Sequence, residues 1–399
     1  MTAKKTNNNK AYFPFDLEKY RWSVRNNLLS GITLFQLCRV LYRHRHAIAW
    51  RRYPHRLVFL FLMSIPTTII SLFEYALYHR RIKSQTLHPV PIFILGHPRT
   101  GTTLLHNLFS QDPNLAYCDT FQAGFASSFL TVERKLPWLK YLLSTLIDPT
   151  RPMDNMPLSF DTPAEDEIAI NMMTSGISPY MCITVMSDYR KSLRFATFDE
   201  QSTSDDERQA WIDAFLFFMK KVTYARCLRG GGLKPLVIKS PVHIGRIQIL
   251  RELFPQAKFV FVHRNPIDTF LSSAILAQEY FNYCYLDAPT PQQITDYILE
   301  QHAMLYEMYF KARPALNAVP HQLSEVSFAE LEQDPVATMK RVYTDLGLEE
   351  WFDQGIVERY ARRDLDGFKK NRHSVVSDEL MVRLQEEVGD VMNELQYRT

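Results

Sequence analysis

The residues of this chain that could do chemistry gather in short turns, each set between an apolar run and a helical pattern. The first turn is His97–Pro98–Arg99–Thr100–Gly101–Thr102–Thr103, after the run Pro91–Gly96 and before Leu104, Leu105, Leu108 and Phe109. Strand, tight turn and helix N-terminus in that order offer an anion backbone N–H groups and the positive end of a helix dipole. Gly101 lets the backbone approach closely, and Thr102 and Thr103, with Thr100 beside them, add hydroxyl groups. The pattern nearly spells G-x-x-x-x-G-K-[ST], but Thr102 stands where a magnesium-nucleotide loop has its lysine. The cation is Arg99 instead, three residues earlier and inside the turn. A cation there suits a terminal group on a single 5′-phosphate and requires no magnesium.

A second unit repeats the arrangement. The apolar run Lys258–His263 leads into Arg264–Asn265–Pro266, and a helical pattern follows with Asp268 in its first turn and then Phe270, Leu271 and Ile275. Arg264 at the strand end and Ser272 in the helix can both face a phosphate at the C-terminal edge of a sheet, where open α/β sheets bind ligands. A third run, Leu236–Val237–Ile238, ends in Lys239–Ser240–Pro241 and continues into a helix carrying His243, Ile247, Leu250 and Leu253. A lysine closing a buried strand implies an anionic partner, because an unpaired charge is costly to bury.

Together these residues resemble the PAPS-dependent sulfotransferase family, where PAPS is 3′-phosphoadenosine-5′-phosphosulfate. Pro98–Thr103 looks like its 5′-phosphosulfate loop, Arg264 with Ser272 like its 3′-phosphate pair, and Lys239–Ser240–Pro241 like its K-S-P strand end. Ser324–Pro335 and the turn Leu346–Gly347–Leu348 extend the likeness, which covers roughly residues 90–375. The resemblance implies transfer of a sulfuryl group from PAPS to a hydroxyl or amine, leaving PAP, with no metal. It also implies that the basic run Lys369–His373, through Lys370 and Arg372, closes over the nucleotide.

Such a transfer needs cations on the leaving phosphate, in-line positioning and a base for the acceptor. Arg99 and Lys239 can supply the cations, with His97 and His243 as further candidates. Glu165–Asp166–Glu167 are the first candidates for the base, and they precede the helical run Ile168, Ala169, Ile170, Met172, Met173. Carboxylates there also favour the helix dipole, and three neighbours cannot all face one site. Many members of the family carry a glutamate or histidine some twenty residues after the first turn; this chain has Asp119 and Gln122. His106, one turn into the loop helix, is therefore the competing base.

These residues need a scaffold. The chain has 399 residues, 46% hydrophobic and 22% charged, with a net charge of +3: a globular balance in which an anion site is local and nucleic acid is no expected partner. The expected fold is α/β, a P-loop nucleotide-kinase-like parallel sheet flanked by helices. Strands are expected near 91–96, 236–239 and 258–263. Helices are expected near 102–111, 207–228, 242–253, 267–281, 291–312 and 377–395. Residues 86–399 form the catalytic domain, with 113–200 as an acceptor-side insertion and 365–399 as a closing segment. Residues 1–85 form an apolar and amphipathic helical segment. Its charge-free run Leu57–Phe73 lies between Arg51, Arg52, Arg56 and Arg80, Arg81, Lys83, and it holds Pro66. The run is near the lower limit for a bilayer span, and Pro66 suits a kinked or re-entrant helix better than a straight one. Beside the basic helix through Arg43–His46, it reads either as a membrane surface or as helices that cover the catalytic domain; the first reading points to a lipid or other amphipathic small-molecule acceptor, with a sugar or a protein tyrosine as the alternatives. Five scattered cysteines fit a reducing, PAPS-containing compartment. The rival readings are an ATP- or GTP-dependent phosphotransferase and a non-catalytic membrane-associated scaffold.

Overall fold

A computed structural model describes residues 12–365 and 377–397. Among them, four parallel strands, β1 (Ile92–Leu95), β2 (Val237–Lys239), β3 (Lys258–His263) and β4 (Leu323–Ser327), form one sheet in the order β2-β1-β3-β4. Ile94 pairs with Lys239 on one side and Val260 on the other, and Val262 pairs with Val326. Parallel strands are covered on both faces, which is why they read as continuous apolar runs. The two faces are chemically distinct. Phe93, Leu95, Phe259 and Phe261 enter the larger core cluster, whereas Ile92, Ile94, Val260 and Val262 enter the smaller one with Leu105, Leu108 and Phe109. The period-2 alternation of a strand thus sorts aromatic side chains to one face and β-branched ones to the other.

The helices of eight or more residues are α1 (Leu34–Arg43), α2 (Pro54–Ser84), α3 (Thr102–Ser110), α4 (Asp166–Met173), α5 (Asp205–Leu228), α6 (Pro266–Leu276), α7 (Pro291–Asn317), α8 (Pro335–Asp345) and α9 (Asp378–Glu394). Their starts follow the sequence. Asn265 caps α6 by accepting from the N–H groups of Ile267 and Asp268, with Pro266 at the first helical position. Ser204 with Glu207, and Thr290 with Gln293, close capping boxes on α5 and α7.

Three expectations are refined. The helix expected over 242–253 begins as a 3-10 helix, Pro241–Arg246, before Ile247–Leu253 becomes α-helical. α6 gives way to a π-helical turn, Ala277–Phe281. The run Leu57–Phe73 lies inside one continuous helix, α2, rather than a re-entrant segment. Beside Pro66, the hydroxyls of Ser64, Thr67 and Thr68 donate to carbonyls three or four residues back, as such residues do within helices. The residues before β1 also share the main core, through Phe13, Phe15, Leu28, Tyr53, Tyr78 and Ile82.

Candidate active site

Each strand delivers part of the site to the same edge of the sheet. β1 runs into the first turn, β2 ends on Lys239, β3 ends at His263–Arg264, and β4 ends at Ser327–Phe328. A cavity of about 660 Å³ opens there, and Arg99, Thr102, Thr103, Glu165, Lys239 and Arg264 are among the residues that line it. Much of the remaining wall comes from the segment 113–200.

The turn is held by its backbone. Gly101 has φ 99°, and a Cβ on it would stand 2.3 Å from Phe328 Cδ2, so position 101 excludes any side chain on two counts. Arg99 has φ 74°, a strained value for a non-glycine residue that the surrounding contacts must sustain. Thr100 is buried and its Oγ1 donates to the His97 carbonyl at 2.8 Å, bracing the turn from behind. Arg99 Nε donates to Ser272 Oγ at 3.1 Å and its Nη1 to Asp154 Oδ2 at 2.8 Å. Burial pulls the Arg99 guanidinium below its ordinary value against the opposing pull of Asp154. Arg151 Nη1 donates to Thr103 Oγ1 at 3.1 Å, and its Nε lies 3.4 Å from Asp154 Oδ1. Arg264 stacks over the Phe328 ring at 5.1 Å and stands 3.7 Å from Asp268.

The three consecutive carboxylates take three directions because the chain passes from extended backbone into α4 at Glu165, and helical side chains then rotate by about 100° per residue. Glu165 faces the cavity. Its Oε1 accepts from Lys239 Nζ at 2.5 Å and its Oε2 from the Tyr180 hydroxyl. Although burial acts to raise it, the Lys239 charge and these two donors hold the Glu165 carboxyl below the usual carboxylate range. Asp166 and Glu167 are wholly buried and lie away from the cavity, which corrects their candidacy as bases. Asp166 meets His243 Nε2 at 2.9 Å and the Ser240 hydroxyl at 2.8 Å. Glu167 is clasped by Arg246 at 2.6 and 3.1 Å and accepts from Ser178 and the Trp211 indole.

His106 is corrected as well. It is wholly enclosed, edge-on to Tyr117, and burial together with the Lys239 charge pushes it down to about 3. It is not among the residues that line the cavity, so it is not placed against an acceptor there. His97 is likewise buried, against His302 and Tyr306, at about 4, and His243 is committed to Asp166, so neither serves as a free cation. Lys370 and Arg372, with the rest of Lys369–His373, lie outside the described residues.

Arg151, Asp154, Tyr180 and Phe328 were not singled out as site residues by sequence reasoning. The opposite charges at Arg151 and Asp154 were visible, but nothing local told which turn they would meet. Tyr180 carries no periodic or motif signal, and Phe328 lies within the Ser324–Pro335 segment of the likeness without anything there to mark it as the residue that meets the turn.

A family model described as "Sulfotransferase family" matches residues 91–353. The chain is 28% identical over 365 residues to the omega-hydroxy-beta-dihydromenaquinone-9 sulfotransferase Stf3 of Mycobacterium bovis and of Mycobacterium tuberculosis, covering 90% of this chain and 88% of each relative. The fold is similar to the crystal structure of sulfotransferase STF1 from Mycobacterium tuberculosis, with TM-score 0.59, 18% identity, and 94% and 93% of the two chains covered. It is also similar to that of STF9 from Mycobacterium avium, with TM-score 0.56, 18% identity, and 92% and 88% covered.

Proposed function

The chain belongs to the sulfotransferase family, and we propose that it transfers a sulfuryl group from PAPS to a hydroxyl of an amphipathic lipid. The observation that carries this reading is the joining of the two anion-binding turns at one cavity, where Arg99 Nε donates directly to Ser272 Oγ. A donor with phosphates at both its 5′ and 3′ positions needs two such turns side by side. The turn amides and Arg99 hold the 5′-phosphosulfate, and Arg264 with Ser272 reads the 3′-phosphate. The phosphotransferase alternative gains no observation.

Glu165 accepts the acceptor's proton as the hydroxyl oxygen bonds to sulfur and the phosphate oxygen departs. Lys239 meets the charge that develops on that oxygen. While Lys239 is tied to Glu165 the carboxylate is a weak base; an anion that competes for Lys239 frees it. Asp154 similarly holds Arg99 and Arg151 and must yield one of them to the donor.

Two observations support a lipid acceptor. The cavity is apolar away from the cations, along Phe125, Leu146, Ile147, Phe160 and Ile168. The relative's name gives an omega-hydroxy-dihydromenaquinone as its acceptor. The exposed apolar α2 supports work at a membrane surface: only 22% of its most apolar stretch is buried. Calorimetry with PAP in excess chelator tests the donor reading. Binding is expected without magnesium and should weaken by about 1.5–3 kcal/mol in Arg99→Ala, the loss of a charge-assisted hydrogen bond. Unchanged affinity would remove Arg99 from the site.

A further inference from the structure

Helix α2 is built inside out. The stripe it turns to the protein includes Arg56, Ser64, Thr67 and Glu74, all buried. Arg56 donates to the carbonyls of Tyr20, Ser23, Asn282 and Tyr285, and Glu74 pairs with Lys221 and accepts from the Thr131 N–H at 2.7 Å. The opposite face carries Val58, Phe61, Leu62, Ile69, Leu72 and Phe73, each at least half exposed. A helix on a water-facing surface has the reverse arrangement, and a continuous apolar face of this kind marks a contact surface.

Two features identify what meets that face. The buried stripe runs from Arg56 to Ile82, so α2 is fastened to the protein along its length and cannot leave it to cross a bilayer. Cations stand exposed at both ends, Arg51 before the helix and Arg80, Arg81 and Lys83 at its close. A spanning helix would send these to opposite sides of a membrane; a helix lying flat places both sets in one headgroup layer, where they suit anionic lipid.

The face continues toward the cavity. The helix Phe129–Lys135 is tied to α2 through Thr131 and Glu74, and directly after it Trp138, Tyr141 and Leu142 are exposed. On the other side, the Leu34 N–H donates to Thr68 Oγ1 at 2.8 Å, midway along α2. Of the segments that line the cavity, the two nearest in the chain to these tracts are Asn26–Leu28 with Ser30, just before Leu34, and Leu146–Ile147, just after Leu142. They meet where the Asn26 N–H donates to the Leu146 carbonyl at 2.8 Å.

We propose that α2 lies flat in one leaflet of an anionic bilayer, and that the acceptor's apolar chain passes from that leaflet into the cavity through the seam between Asn26–Ser30 and Leu146–Ile147. The second half rests on the lipid-acceptor reading above.

Depth measurement tests it. Single cysteines at Val58, Ile65 and Leu72, on one exposed face, carry nitroxide labels in a chain with Cys38→Ser and Cys227→Ser. PAP binding checks that each variant is folded. On vesicles of phosphatidylglycerol and phosphatidylcholine, oxygen and a soluble nickel chelate should report equal depth at the three sites. Binding should exceed that to pure phosphatidylcholine by on the order of tenfold or more. A depth difference approaching the roughly 21 Å of helix between positions 58 and 72 would mean that α2 spans. Labels that stay fully accessible to the nickel chelate would mean that it meets no membrane. For the seam, a diazirine-bearing long-chain alcohol in the same vesicles should label Leu28, Leu146 or Ile147; labelling confined to α2 would overturn lateral passage. Sulfation of a lipid extract dispersed in detergent needs no leaflet, so failure there with flat labels would count against the lipid acceptor and leave the orientation standing.

Discussion

At the scale of single residues, three adjacent carboxylates have three fates, and their substitutions should separate accordingly. Glu165→Gln keeps the shape of the cavity and removes the proposed proton acceptor, so kcat should fall by about 10²–10⁴ with PAP affinity intact. Glu167→Gln and Asp166→Asn each unbalance a wholly buried pair, with Arg246 and His243, and the cost should appear as stability. Breaking a buried ion pair from one side costs roughly 3–5 kcal/mol, which thermal unfolding of Glu167→Gln would register. The pH profile of kcat/KM gives a separate check. The proposed base works deprotonated, and in the donor-free site Lys239 holds Glu165 below the ordinary carboxylate range, so kcat/KM for PAPS, which reports the free enzyme, persists through that range and is lost only as pH falls below it. The profile should show no acid limb between about pH 5.5 and 7.5; a midpoint near 6.5 would indicate a histidine. Arg264→Ala should weaken PAP and leave AMP, which has no 3′-phosphate, nearly unaffected; equal losses would reduce Arg264 to a support of the sheet edge. The sequence showed that Glu165, Asp166 and Glu167 could not share one site. Choosing among them required knowing that Arg246 and His243 reach α4 from across the chain, which no local pattern records.

At the scale of elements, the strand ends and the glycine turn make the site, and they were the most legible part of the chain. β1, β2 and β3 are short apolar runs ended by Gly96, Lys239 and His263, each followed by proline within three residues. β4 was not recognised, because an edge strand reading Leu323–Ser–Glu–Val–Ser327 is only half covered and its alternation is dilute. Its role is nonetheless specific, since it carries Phe328 onto Gly101. Gly101→Ala should therefore cost about 1–3 kcal/mol of stability for the left-handed backbone and should abolish PAP binding by displacing the turn. Adding Phe328→Ala removes the steric contact while the backbone strain remains, so the double variant should recover part of the stability. Full recovery would show that sterics alone dictate the glycine. The 3-10 start at Pro241–Arg246 and the π-helical turn after α6 escaped reading because their apolar spacing is indistinguishable from that of an α-helix over so few residues.

At the scale of the molecule, the residues before β1 are both surface and core. The sequence revealed the apolar run of α2 but not its orientation, because its inward polar residues find partners, Lys221 and the carbonyls of residues 20–23 and 282–285, that are distant in the chain. Deleting residues 1–83 would strip Phe13, Phe15, Leu28, Tyr53, Tyr78 and Ile82 from the main core and leave Lys221 buried without its carboxylate. The truncated chain should lose solubility and PAP binding together; a soluble fragment that still binds PAP would show a catalytic domain independent of the platform. Sulfuryl transfer to a lipid hydroxyl can be measured by incubating the full chain with sulfur-labelled PAPS and a lipid extract, in chelator. A labelled, chloroform-soluble product is expected, and it should be lost in Glu165→Gln and Arg99→Ala. Label transferred only to water-soluble sugar or protein, or transfer undiminished in Glu165→Gln, would contradict this expectation.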